Sequence, residues 1–416
     1  MLNNIRSTGL VKIFLPFGSF GKQTANINCR LFSYHLTLLV MLNRQLKIGI
    51  SGSYGGMNLG DEAILQVMLH QIKGSLDAEI TVFSRHADDT NNRHQADNVV
   101  SVRDLSLNEI KPYIADLDLF ILGGGGILYD QDILLYLREV KIANEQGVPV
   151  MLYAIGAGPL ENRSLYPEIS DTLNKVNLIT VRDVDSKHLL ESIGVTKAIH
   201  VTTDPAFLLT PEPIDQATLV KEQLNTERRL IAMSVREPGG AAPDLDEEKY
   251  HSLLANAADY MVDRFGADIL FIPTERHHRD LQHSHAVISL MLRPQYAHVL
   301  KGEYSPGQLL SIMKHCDFAV GMRLHFLIFA ALQNVPFVAL PYAAKVKGLL
   351  SELGIDMPPL HLVNAGRLIA YIDQFWDNQE DIRKQISEKL PAIQTKSKLT
   401  HQLMLDIMEN CATFRC

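Results

Sequence analysis

Leu46-Lys47-Ile48-Gly49-Ile50-Ser51, continuing into Gly52-Ser53-Tyr54-Gly55-Gly56-Met57-Asn58-Leu59-Gly60-Asp61-Glu62-Ala63-Ile64, is the stretch that decides the fold. The first six residues suit a buried strand. Beyond the glycines, Ile64, Val67, Met68 and Ile72 recur at the 3.6-residue period of a helix packed on one face. Strand, glycine loop and helix in that order open a nucleotide-binding type of unit. The spacing is neither G-x-G-x-x-G nor a P-loop, because no Gly-Lys-Ser/Thr follows. Gly55, Asn58, Gly60 and Asp61 are candidates for a cleft-lining loop, with a tight turn that holds no ligand as the alternative.

The unit repeats along the chain. Strands are expected at 79–83, 117–122, 148–155 and 178–183, separated by loops and helices, with the segment 200–207 closing this half, which predicts a doubly wound α/β domain. The run at 117–122 opens into Gly123-Gly124-Gly125-Gly126, so Gly124, Gly125 and Gly126 could let backbone approach a ligand at the carboxyl edge of a parallel sheet. A plain turn would also use them. Thr210-Pro211-Glu212-Pro213 reads as a linker, since its prolines stop a helix and stiffen the connection.

A second domain is expected after it. The strand at 230–237 resets the pattern and is followed by a Pro-Gly-Gly loop at 238–240, an amphipathic helix from about 247 to 264, and strands at 268–273 and 335–341. The boundaries are 45–212 for the first domain and 213–395 for the second. A last helix within 396–416, from about Ser397, could cross back to the first domain.

Within the second domain, Gly321-Met322-Arg323-Leu324-His325-Phe326-Leu327-Ile328-Phe329-Ala330-Ala331 sets an arginine and a histidine where a strand gives way to an apolar helix. Charged side chains are rarely placed so deep without a partner. A helix start offers free N–H groups and partial positive charge, which with a guanidinium suits a phosphate or carboxylate. Arg323 paired internally with an acid, and His325 held by a carbonyl, is the competing arrangement.

At 416 residues the chain exceeds one ordinary core. Its formal charge of -8, with no long basic run, argues against nucleic acid as a partner. Cys29, Cys316, Cys411 and Cys416 lack metal-ligand spacing and fit a reducing compartment. The adjacent His277 and His278 point apart and do not match H-E-x-x-H, so no metal is expected. Residues 1–44 show no sustained period; they are expected to be an extension outside the core, with Met41 a candidate start. Their apolar run at 36–42 is too short to span a bilayer.

With those residues in hand, the chain resembles the polysaccharide pyruvyl transferase family. The resemblance rests on GGMNLGDEA at 55–63, the glycines at 123–126, IGAGPL at 155–160, Val181-Arg182-Asp183, Asp204-Pro205 and, above all, GMRLHFLIFAA at 321–331. It implies two Rossmann-like doubly wound domains facing a cleft, as in GT-B glycosyltransferases. It also implies phosphoenolpyruvate as co-substrate with no further cofactor, a glycan or lipid-linked glycan as acceptor, and a cytoplasmic protein that could associate with the inner face of the membrane through that acceptor. Arg323, Leu324 and Arg236 would then bind the donor and His325 act as general acid/base, while Arg182, Asp183 and Lys345 would face the acceptor. One departure stands out. The family's Tyr-Asp-Pro-Lys type of segment reads Tyr342-Ala343-Ala344-Lys345 here, so an acid is missing. A nucleotide-sugar glycosyltransferase and a catalytically silent glycan-binding protein are the alternatives.

Overall fold

The first strand forms over Leu46–Ser51 (β1), because Ile48 and Ile50 are apolar and fully buried. It is the centre of the first of two parallel sheets in the computed structural model, which describes residues 45–56, 58–130, 132–224, 227–237, 246–275, 280–340, 344–357 and 363–414. The extension at 1–44, the loop at 238–240, His277, His278, Tyr342 and Ala343 lie outside the described residues.

The first sheet comprises β1 and Ala78–Ser84 (β2), Asn98–Ser101 (β3), Leu119–Leu122 (β4), Gly125–Leu128 (β5), Val150–Ala157 (β6), Leu178–Val181 (β7) and Ile199–Val201 (β8). Its order is β3-β2-β1-β4-β6-β7-β8, with β5 paired to β6. Every pairing is parallel, as crossover helices on both faces require. The glycine run is therefore not all loop, since Gly125 and Gly126 begin a short strand of their own.

The second sheet comprises Arg229–Ser234 (β9), Ala267–Phe271 (β10), Ala297–Val299 (β11), Phe318–Gly321 (β12) and Phe337–Ala339 (β13), in the order β11-β10-β9-β12-β13, again all parallel. In each sheet the strand order reverses beside its first strand, between β1 and β4 and between β9 and β12. Such switch points leave a crevice at the carboxyl ends of the strands, where ligands of open α/β sheets bind. The α/β architecture of two Rossmann-like units facing a cleft is the one expected.

Helix Leu324–Leu332 fixes the second crevice. Leu324, Phe326, Leu327, Ile328, Phe329, Ala330 and Ala331 are all buried, so apart from His325 the helix is apolar around its circumference rather than amphipathic. Each large side chain buried there contributes about 1.5–3 kcal/mol. The last helix runs from Gln379 to Phe414, starting well before Ser397. It reaches the first sheet's end, where Ser397 Oγ donates to the Asp204 carbonyl and Thr400 Oγ1 to Thr202 Oγ1. Among the described residues no helix is long and apolar enough to cross a membrane.

Candidate active site

Arg323 follows β12 by way of Gly321, where a Cβ would meet the Phe326 ring at 2.6 Å, so only glycine lets the helix turn back so closely. Its guanidinium is engaged on three nitrogens. Nε donates to Asp280 Oδ2 at 3.1 Å, Nη2 pairs with Asp280 Oδ1, and Nη1 lies 2.6 Å from Glu275 Oε2. The internal pairing is real: Arg323 is a clamped, pre-oriented cation rather than a bare one. Burial raises the Asp280 pKa from its ordinary value, against the pull of Arg323.

His325 points the other way, into the first domain. A Cβ on Gly60 would fall 1.8 Å from its Nδ1, so the glycine at the start of helix Leu59–Ser75 is what gives the imidazole room. Asn58 caps that helix by accepting from the Gly60 N–H at 3.0 Å, and Leu59 donates its N–H to the Thr274 carbonyl at 2.9 Å. The two domains thus touch directly beside the imidazole. Asp61, in the first helical turn, is buried; burial above all pushes its carboxyl up to about 6, with Glu275 and Glu62 adding to the rise and His325 and Lys345 opposing it.

On the other flank, Arg182 leaves β7 and lies across Gly156 and Gly126, where added Cβ atoms would meet its guanidinium at 2.6 and 3.2 Å. Its Nη1 donates to Asp204 Oδ2 at 3.0 Å. Asp204 also faces His325, whose Nε2 is 3.5 Å from Oδ2. Burial alone would raise its pKa, but His325 and Arg182 outweigh burial and hold the carboxyl well below the usual range.

These groups enclose a cavity of about 140 Å³, in which the cations Arg85, Arg182, Arg323 and Lys345 face the carboxylates Asp61 and Glu275, with Asn58 and His325 also in the wall. Two buried nitrogens, Arg182 Nε and His325 Nε2, make no hydrogen bond among the described residues. A cleft of about 390 Å³ adjoins it, sharing Arg182, Leu324 and Lys345 and adding Asp183, Lys347, Glu352 and Lys396. The arrangement can hold a small anion and can move a proton near neutral pH.

Of the residues singled out by sequence, Asn58, Asp61, Gly126, Arg182, Arg323, Leu324, His325 and Lys345 line the small cavity. Asp183 borders the larger cleft, where its carboxylate caps helix Val184–Ser192 by accepting from the Ser186 N–H at 2.7 Å. Arg236 is not in the wall of either cavity and turns to Glu237. The remaining glycines act behind it. Gly55, at φ 71°, makes the turn; Gly124 packs on Ile64; Gly125, at φ 104°, approaches Asp61. Arg85, Asp204, Glu275 and Asp280 were not singled out as site residues. Arg85 follows β2 and Asp204 lies just beyond β8, so the carboxyl-edge rule was the available signal for both.

Residues 58–343 match the family described as polysaccharide pyruvyl transferase, a span that contains Asp61, Arg85, Arg182, Asp204, Glu275, Asp280, Arg323 and His325 and ends just before Lys345. The chain belongs to that family. Membership puts it among the transferases of polysaccharide biosynthesis. It is also 22% identical over 318 residues to the amylovoran biosynthesis protein AmsJ of Erwinia amylovora, covering 73% of this chain and 75% of that one. In fold it is similar to the UDP-GlcNAc 2-epimerase of Neisseria meningitidis solved with UDP-GlcNAc (TM-score 0.61, 15% identity, 87% of this chain and 100% of that one). It is likewise similar to a glycosyltransferase of Rickettsia africae (TM-score 0.56, 14% identity, 88% and 99%). At such identities the two structures speak for the GT-B-like fold alone.

Proposed function

We propose that the chain transfers the pyruvyl group of phosphoenolpyruvate to two hydroxyls of one sugar as a cyclic ketal. The observation that carries this is the small cavity, with four cations against two carboxylates and two buried nitrogens without hydrogen bonds among the described residues. A compact ligand with a carboxylate and a phosphate a few atoms apart suits that volume and that charge. Arg182, Arg323 and Lys345 hold its anionic groups, and Arg323 is kept in register by Asp280 and Glu275.

A proton passes to C3 of the donor, turning its methylene into a methyl group while C2 becomes electrophilic. One sugar hydroxyl adds to C2 and gives up its proton. The second hydroxyl then displaces phosphate from C2 and closes the ketal. His325, between Asp61 and Asp204, is the group that delivers and collects these protons, exchanging them with Asp61, whose carboxyl is pushed up to about 6. Removal of a positioned acid costs about 10²–10⁴ in rate. The acceptor glycan, free or lipid-linked, lies in the adjoining cleft, and the reaction takes place in the cytoplasm or at the inner face of the membrane.

Thermal unfolding with candidate donors tests this. Phosphoenolpyruvate at 100 times its dissociation constant should stabilise the chain by about 2.7 kcal/mol, and should do so in His325→Gln as well, while that variant turns nothing over. A nucleotide sugar as the stabilising donor would point to a glycosyltransferase, which the larger cleft has room for. Stabilisation by neither would favour a silent glycan-binding protein, the alternative suggested by Ala343.

A further inference from the structure

Two helices of the second domain bring together side chains that the proposed transfer does not use. On helix Glu247–Phe265, Glu247 and His251 stand four residues apart and share a face. Helix Asp280–Leu290 sets His283 against them. His251 Nε2 lies 2.8 Å from His283 Nδ1, and that nitrogen lies 3.6 Å from Glu247 Oε1. One ligand atom from each residue fits within 4.8 Å of the other two. Nitrogen and oxygen ligands held about 2.0–2.1 Å from a tetrahedral zinc ion are about 3.3 Å apart, a spacing that the two measured separations bracket.

The surroundings favour ligation. Both imidazoles are buried, His251 at 7% and His283 at 4% exposure. The other nitrogen of His283, Nε2, is buried with no hydrogen bond among the described residues and faces Glu237 Oε2 at 3.9 Å. A carboxylate behind the far nitrogen of an imidazole is the usual means of orienting a metal-bound histidine.

We propose that Glu247, His251 and His283 form a three-ligand site for a divalent transition-metal ion of zinc type, with Glu237 orienting His283. Imidazole and carboxylate suit such an ion better than the all-oxygen shells of calcium or magnesium. The ion braces the start of one helix against the other. Because Asp280 opens the second helix and pairs with Arg323, the brace steadies one wall of the small cavity without touching the reacting atoms. It does not depend on the identity of the donor. The ligands escape a sequence search because they come from two helices and lie outside any spaced motif.

The test uses the full chain, stripped with a chelator and titrated with zinc alone by calorimetry, then with cobalt to read its visible absorption. One zinc per chain, a cobalt spectrum of four-coordinate intensity and a raised Tm on zinc addition are expected. Glu247→Gln is at an exposed side chain and should fold; it and His251→Gln should each lose at least tenfold in affinity, and Glu237→Gln about tenfold. No zinc binding by the wild-type chain would overturn the proposal. So would zinc bound equally well by Glu247→Gln and His251→Gln, which would mark adventitious binding at other histidines. Should His251→Gln fail to fold, unchanged affinity in Glu247→Gln is enough to overturn it.

Discussion

His325 Nε2 stands 3.5 Å from Asp204 Oδ2, so a histidine carried by the second sheet meets a carboxylate at the end of the first. The same carboxylate receives Arg182. Asp204→Asn removes the charge that Arg182 and His325 face and should lower stability by about 3–5 kcal/mol at neutral pH, measured by urea unfolding. Since the folded-state pKa of Asp204 lies below its unfolded value, its contribution is present above about pH 4 and is lost as the pH falls further. The wild-type and variant stabilities should therefore converge in acid. A gap that stays constant down to pH 3 would contradict the assignment.

Asp61 has the opposite sign. Its folded-state pKa is pushed up to about 6, so the folded chain is penalised when the group ionises, and wild-type stability should decline between about pH 4 and 6 and then level off. Asp61→Asn lacks that decline. Between pH 4 and pH 8 the balance should move towards the variant by on the order of 3 kcal/mol, from two pKa units. Parallel stability curves for the two proteins would show that Asp61 is not a buried, partly protonated acid.

Gly60→Ala tests the contact between domains. Alanine is a good helix residue, but its Cβ would fall 1.8 Å from His325 Nδ1 and must displace the ring. The fold should survive, and catalytic turnover of phosphoenolpyruvate should be lost along with the imidazole's position. Unchanged turnover would remove His325 from the reaction.

Arg323→Lys should cost stability as well as donor affinity, because an ammonium cannot pair with Asp280 and Glu275 at once. A loss of about 3–5 kcal/mol is expected from the acids left underpaired. In the double variant with Asp280→Asn, the stability losses should be less than additive while donor binding stays weak. Full recovery of donor binding would mean that Arg323 serves the fold alone.

Much of the fold was legible because its central strands are continuous apolar runs. Residues 46–51 were read with their observed bounds, the strands β4, β7 and β10 differ by a residue or two at their ends, and β9 ends three residues sooner than expected. The edge strands β3 and β11 escaped. They are short and partly exposed, with Asn98 and His298 interrupting the apolar pattern. In the site, Arg323 and His325 stood out because they interrupt apolar sequence. Their partners did not, since Asp280 is 43 residues from Arg323 along the chain and only the folded sheet brings them together. The family resemblance set Arg236 beside Arg323 as a donor-binding arginine because it follows the first strand of the second domain. Its side chain, however, turns to the neighbouring Glu237 instead of into the cavity wall.

The most direct test of the central claim is mass spectrometry of a cell-surface glycan panel incubated with the purified chain and either phosphoenolpyruvate or nucleotide sugars. A pyruvate-sized addition to one glycan, with phosphate released in equal amount and both lost in His325→Gln, is the predicted result. A hexose-sized addition from a nucleotide sugar, or no addition to any glycan while phosphoenolpyruvate stays intact, would contradict it.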